Sequence, residues 1–334
     1  MRPSLTFAGL LLAACIPGSL LGGTSDPVTA GTSVDDSSTQ QRQAPGYYRF
    51  TLGKLTVTAL SDGTAAIAWD EILHGLPSDR IRRIFEHFGE SAQRDTSINA
   101  FLVDTGSRRI LIDTGAGTLF GKCCGRLPAA LRQAGYSPGA IDVVLLTHVH
   151  GDHSAGLSAN GERLFPNADV YLARDEYDYW MSDVAREQAP AEHQDMFVEG
   201  RAALAPYDKA GRLRFFTGTT SLFPEITAIP APGHTPGHSF FRITSEGDQL
   251  LVVGDIIHAA EVQLSFPAVT ARFDVDSDQA RATRKHALAR LAQTRQLVAA
   301  NHVSFPGLGR ITQHAGTYRW AAMPYRGAVE AAAD

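Results

Sequence analysis

Three histidines and an aspartate fall within six residues of the segment Thr147-His148-Val149-His150-Gly151-Asp152-His153. The segment follows directly on Ile141 to Leu146, a continuous apolar run that reads as a strand buried on both faces. So many imidazoles are a poor way to end a buried strand, because each needs a polar partner. They are a good way to hold a metal ion. His148 and His150 share one side of an extended chain and can reach one ion, while Asp152 and His153, after the turn at Gly151, can face a second. More candidates lie downstream in Gly233-His234-Thr235-Pro236-Gly237-His238, in Gly254-Asp255 and in Asn301-His302. The three cysteines, Cys15, Cys123 and Cys124, are too few for a thiolate zinc site or a disulfide framework, and the adjacent pair reads as a loop accident. Any metal is therefore held by imidazole and carboxylate, and all-nitrogen-and-oxygen ligation suits two divalent ions, zinc first among them.

The elements that must position these residues alternate between strand and helix patterns. Leu55, Val57 and Ala59 predict a half-buried strand that stops at the turn Ser61-Asp62-Gly63. Ala100–Asp104 and Arg109–Asp113 flank a hairpin turn, and Leu127–Ala134 reads as a helix ending at Gly135. Further strands are expected at Ala168–Leu172, Leu213–Phe216, Ile226–Ile229, Ser239–Ile243 and Gln249–Val253, with a helix over Ser277–Leu291. Strand pairs mixed with helices predict an α/β (α+β layered) fold of sheets with helices outside. A polar, aromatic-spiked insert from Arg174 to Tyr207 is a candidate lid or pocket wall. The chain of 334 residues is 44% hydrophobic and 19% charged, with 30 Lys plus Arg against 35 Asp plus Glu. A net charge of −5 offers no extended positive field, so nucleic acid is excluded as the main partner.

Taken together, the His-x-His-x-Asp-His run, the Gly-His-Thr-Pro-Gly-His segment, Asp255 and His302 resemble the metallo-β-lactamase superfamily over about residues 50 to 310. The resemblance implies an αββα sandwich with a two-metal site along one sheet edge. It implies His148, His150 and His234 on the first ion, Asp152, His153 and His302 on the second, and Asp255 as the catalytic bridge between them. Asp113 matches a position that braces the ligand loop, and His238 reads as support for His234. His74, His87, His193, His286 and His314 read as surface or helix residues without a catalytic role.

Ala44-Pro45-Gly46-Tyr47-Tyr48-Arg49, Leu60-Ser61-Asp62-Gly63-Thr64 and His302-Val303-Ser304-Phe305-Pro306-Gly307 further resemble methyl parathion hydrolase and the related dihydrocoumarin-hydrolysing lactonases. That resemblance implies a homodimer and a substrate pocket walled by Phe120, Trp180 and Phe197. Without it, core packing is the preferred reading of those three rings. His258 and Phe273 stand where the parathion-hydrolysing pattern carries leucine, and Ile72 where it carries arginine. A narrower, more polar pocket favours a small neutral substrate with a flat carbonyl. The expected activity is lactone opening or aryl-ester cleavage by a hydroxide held between two ions, with phosphotriester hydrolysis as the alternative and a non-catalytic metal-binding scaffold as a third reading.

At the N-terminus, Arg2 and the interrupted apolar run Leu5–Leu21 read as a signal over residues 1–22. Leu12-Ala13-Ala14-Cys15 also resembles a lipobox, which makes Cys15 a candidate lipid anchor. A cleaved leader and a lipoprotein signal both remain open. Either one implies export, to the periplasm or to a lipid-anchored place in the envelope. Residues 23–44, nearly free of aliphatics, read as a disordered tether, and the hydrolase domain is expected over 45–334.

Overall fold

The computed structural model describes residues 44–328. The leader expected over 1–22, with Cys15, and all but the last residue of the expected tether lie outside the described residues. Two seven-stranded sheets follow chain order. The first holds β1 (Tyr47–Leu52), β2 (Leu55–Ala68), β3 (Gln93–Asp104), β4 (Arg109–Ile112), β5 (Val143–Leu145), β6 (Asp169–Ala173) and β7 (Leu213–Phe216). The second holds β8 (Thr220–Phe223), β9 (Ile226–Pro230), β10 (Ser239–Ser245), β11 (Asp248–Val252), β12 (Leu297–Ala299), β13 (Leu308–His314) and β14 (Thr317–Ala322).

The apolar run before the histidines shows why the sheets stack. Val143 and Leu145 of β5 face the second sheet, in a core with Ile110, Ile112, Phe241, Ile243 and Val252. Val144, one residue out of phase, turns to the opposite face among Leu111, Leu131 and Leu204. That outer face is covered by α1 (Leu127–Gln133) and by the insert, which forms α3 (Arg174–Met181), α4 (Asp183–Gln188) and α5 (Gln194–Lys209), while the short α2 (Gly151–Ser154) carries the end of the histidine run. On the far side α6 (Ser277–Thr294), N-capped by the Asp276 side chain, seats Leu288 and Leu291 over Phe240 and Leu251. The result is the αββα sandwich. Among the described residues no helix is long and apolar enough to cross a membrane.

One expected element is corrected. Ser61-Asp62-Gly63 does not end a strand; β2 runs through it as a β-bulge, with the register against β3 shifting between Ser61 and Gly63. Gly63 takes φ 142°, which a side chain could not follow here, since a Cβ would lie 2.1 Å from the Cys123 carbonyl oxygen. The bulge buries the Asp62 carboxylate, which accepts backbone N–H groups from Ala116, Gly125 and Leu127 and so fixes the loop that carries Phe120.

Parallel pairing places the chemistry. β4 and β5 are parallel, as are β11 and β12, so the chain leaves each pair at a common edge. Asp113 follows β4, the histidine run follows β5, Asp255 follows β11 and His302 follows β12.

Candidate metal centre

Residues expected on one ion do meet. His148 Nε2 lies 3.1 Å from His150 Nδ1, which lies 3.0 Å from His234 Nε2. Asp255 Oδ2 is 3.3 Å from His234 Nε2 and 3.7 Å from His148 Nε2. The second group is His153 Nε2 and His302 Nε2, 3.3 Å apart, with Asp152 Oδ2 3.3 Å from His302 Nε2. Asp255 faces this group too, its Oδ1 lying 3.0 Å from His153 Nε2 and 3.2 Å from His302 Nε2. The two oxygens of one carboxylate thus address both clusters.

The donor set fits metal ions better than it fits itself. Lone pairs crowd where donors are missing, and the buried Asp255 Oδ1 has no hydrogen-bond partner. A tetrahedral zinc site with Zn–N bonds of about 2.0–2.1 Å has ligand–ligand edges of roughly 3.3 Å, the spacing seen in both clusters. Electrostatics agree. Burial pushes His148 and His150 well below the usual imidazole range, towards the neutral form that ligates metal. Burial acts the same way on His153 and His234, but facing carboxylates override it. Asp255, Asp152 and Asp113 hold His153 well above its ordinary value, and Asp255 with Asp274 raises His234 to about 9. Carboxylates this deeply buried call for positive charge between them.

A layer of partners behind the cluster aims each ring. Asp113, a non-glycine residue at φ 60°, accepts from Thr147 N, Thr147 Oγ1 and Asn301 Nδ2 and meets His153 Nδ1 at 2.9 Å. It ties the ligand loop to the His302 loop, the bracing role expected of it. His302 Nδ1 meets the Ser97 carbonyl at 3.0 Å. His238 accepts from Asp255 N through Nε2 while its Nδ1 meets the Ala231 carbonyl, a neutral ring whose pKa burial lowers to about 3.

Two members of this layer were not legible in the sequence. Asp274 meets His234 Nδ1 at 2.8 Å; burial alone would raise its pKa, but His234 and then Arg284 hold it well below the carboxylate range. Glu176, 1% exposed, accepts from Val149 N, Trp180 Nε1, Thr235 Oγ1 and Gly237 N. It joins the histidine run to the His234 loop through the insert.

A cavity of about 260 Å³ opens over the cluster, lined by Phe120, His258 and Phe273 as expected, and by Ala65, Ile67, Trp69 and Ile98. The expectation for Trp180 and Phe197 is corrected: both are fully buried, 4.6 Å apart between ring centroids, in the core under the ligand loop. Trp180 packs edge-on to His150 and donates to Glu176. The reason is helix phase, because α5 turns Phe197 and Gly200 inward and presents Asp195, Met196 and Glu199 to the cavity. Ile72 packs in a separate cluster with Trp69, Ile81 and Phe85 and does not line the cavity. His193, read as a surface or helix residue, ends the 3-10 turn Ala191–His193, where it is buried and meets the Arg272 carbonyl at 2.8 Å. His258 is 2% exposed, its Nε2 lies 3.1 Å from Asp255 Oδ2, and its Nδ1 has no hydrogen-bond partner.

Fold and cluster together define a metal-dependent hydrolase. The metallo-β-lactamase superfamily matches residues 94–294, and the chain belongs to that family. Among solved structures, the hydrolase AbOPH of the β-lactamase superfamily is 33% identical, with a TM-score of 0.81 over 85% of this chain and 100% of that one. AidC, a dizinc quorum-quenching lactonase solved with its product N-hexanoyl-L-homoserine, is 27% identical, with a TM-score of 0.80 over 84% of this chain and 99% of that one. The N-acyl homoserine lactonase AttM of Agrobacterium fabrum is 28% identical over 120 residues, 34% of this chain and 40% of that protein. The atrochrysone carboxyl ACP thioesterase of Passalora fulva is 27% identical over 179 residues, 52% of this chain and 43% of that protein. The chain therefore spans less than half the length of either curated relative.

Proposed function

We propose that this chain opens neutral lactones, or cleaves aryl esters, at a two-zinc centre. The observation that carries the reading is the cavity over the cluster: small, apolar along the wall of Ile67, Trp69, Ile98 and Phe273, and carrying the buried ring of His258 beside Asp255. Similarity to the lactonase AidC over nearly its whole length supports it.

His148, His150 and His234 would hold one ion, Asp152, His153 and His302 the other, and Asp255 both. The ions, when bound, would supply an activated water at neutral pH and polarise the acyl oxygen. The chain's own residues do the rest. Asp113 and Asp274 fix the ring orientation of His153 and His234, so that each presents Nε2 inward. The apolar wall of Ile67, Trp69, Ile98 and Phe273 limits water around the substrate. His258, kept neutral by burial despite Asp255, lines the cavity, where a single ring N–H would donate to a substrate oxygen.

A panel of dihydrocoumarin, an N-acyl homoserine lactone, paraoxon, methyl parathion and nitrocefin on metal-loaded protein tests this. A lactone should give the highest kcat/KM. In the double variant His258→Leu with Phe273→Leu, the ratio of aryl lactone to methyl parathion should fall by about 10–200-fold, the scale of a modest pocket change. Its metal content should stay the same. A parent enzyme that prefers methyl parathion would replace this reading with phosphotriester hydrolysis.

A further inference from the structure

The cavity is charged on one side only. Its lining contains no Lys or Arg but five carboxylates, those of Asp152, Glu192, Asp195, Glu199 and Asp255. Asp152 and Asp255 belong to the metal cluster. The remaining three line the cavity and have no ion-pair or side-chain hydrogen-bond partner among the described residues. Asp195 and Glu199, four residues apart, share one face of the first turns of α5, and Glu192 lies in the 3-10 turn Ala191–His193 that leads into it. That face abuts the ligand loop, since a Cβ built on Gly151 would lie 3.0 Å from Glu199 Oε2. Across the cavity stand apolar side chains and the buried His258, whose Nε2 lies 3.1 Å from Asp255 and whose Nδ1 has no hydrogen-bond partner.

We propose that Glu192, Asp195 and Glu199 form a charge-selective lip that favours cationic over neutral, and neutral over anionic, esters and lactones. The proposal rests on the ester- and lactone-hydrolysing reading of the same site. Bound divalent ions would draw anions inward, and these three carboxylates are the lining groups outside the cluster that oppose them. The lip also acts after the chemistry. Lactone and water give a hydroxy acid: the acyl C–O bond of the ring breaks, a C–OH bond forms, and the acid releases a proton. The product is an anion where the substrate was neutral, so the lip that admits the substrate repels the product.

Three 4-nitrophenyl esters of matched shape test the lip: one ending in trimethylammonium, one in tert-butyl and one in carboxylate. On metal-loaded protein at low salt, kcat/KM should fall by about tenfold at each step in that order, the lower end of electrostatic steering. Added salt should compress the series. The triple variant Glu192→Gln, Asp195→Asn, Glu199→Gln should bring the cationic-to-anionic ratio close to one, with the neutral ester as internal reference. Should the triple variant fold poorly, Glu192→Gln and Asp195→Asn, both at exposed positions, should each remove part of the ratio. Turnover of all three esters without that order, or an order that survives in the variants, overturns the lip alone. Failure to hydrolyse any of the three, or a lactone, overturns the hydrolase reading and the lip with it.

Discussion

Asp255→Ala should lower kcat/KM by more than about a hundredfold and leave fewer than two metal ions per chain. Partners that only orient metal ligands typically cost about 10–100-fold on removal, and Asp255 is placed to do more. Its two oxygens lie within 3.0–3.3 Å of nitrogens in both clusters, so its loss would take a ligand from each of two bound ions at once. It also removes the negative charge that lies between them. Asp255→Asn keeps the shape and one oxygen acceptor but loses that charge, and should fall between parent and alanine variant in metal content. Activity and metal analysis on the same preparations check this. Near-normal turnover with two metals per chain in the alanine variant would contradict the bridging role.

Glu176→Ala should destabilise the protein by about 1–3 kcal/mol, the usual cost of leaving buried hydrogen-bond donors without an acceptor. The carboxylate accepts four hydrogen bonds, from Val149, Trp180, Thr235 and Gly237, and its removal strands those donors where water has little access. Gln at this position also fails, because an amide NH₂ would face donors. Urea unfolding of metal-free protein measures the effect apart from any loss of metal. A change below about 1 kcal/mol would show that the network matters only when metal is bound.

The clustered His and Asp side chains could be read from the sequence largely because four of the seven sit within six residues at the end of one apolar strand. Their partners could not. Glu176 lies 27 residues from Val149 and 59 from Thr235, and nothing in the sequence around it marks it as buried. Asp274 lies 40 residues from His234 and looks like any acid before a helix. Trp180 and Phe197 show a different limit. The insert that carries them was legible, but which of its faces meets the cavity depends on how its helices dock on the first sheet. The bulge in β2 hid Ala65, Ile67 and Trp69 for a related reason, since a strand read as ending at Gly63 leaves the following residues with no face to line.

Titration of metal-free protein with zinc, followed by aryl-lactone hydrolysis, tests the central claim most directly. The account predicts activity that rises to a plateau at two zinc ions per chain. A plateau at one, or lactone hydrolysis that needs no metal, would contradict it.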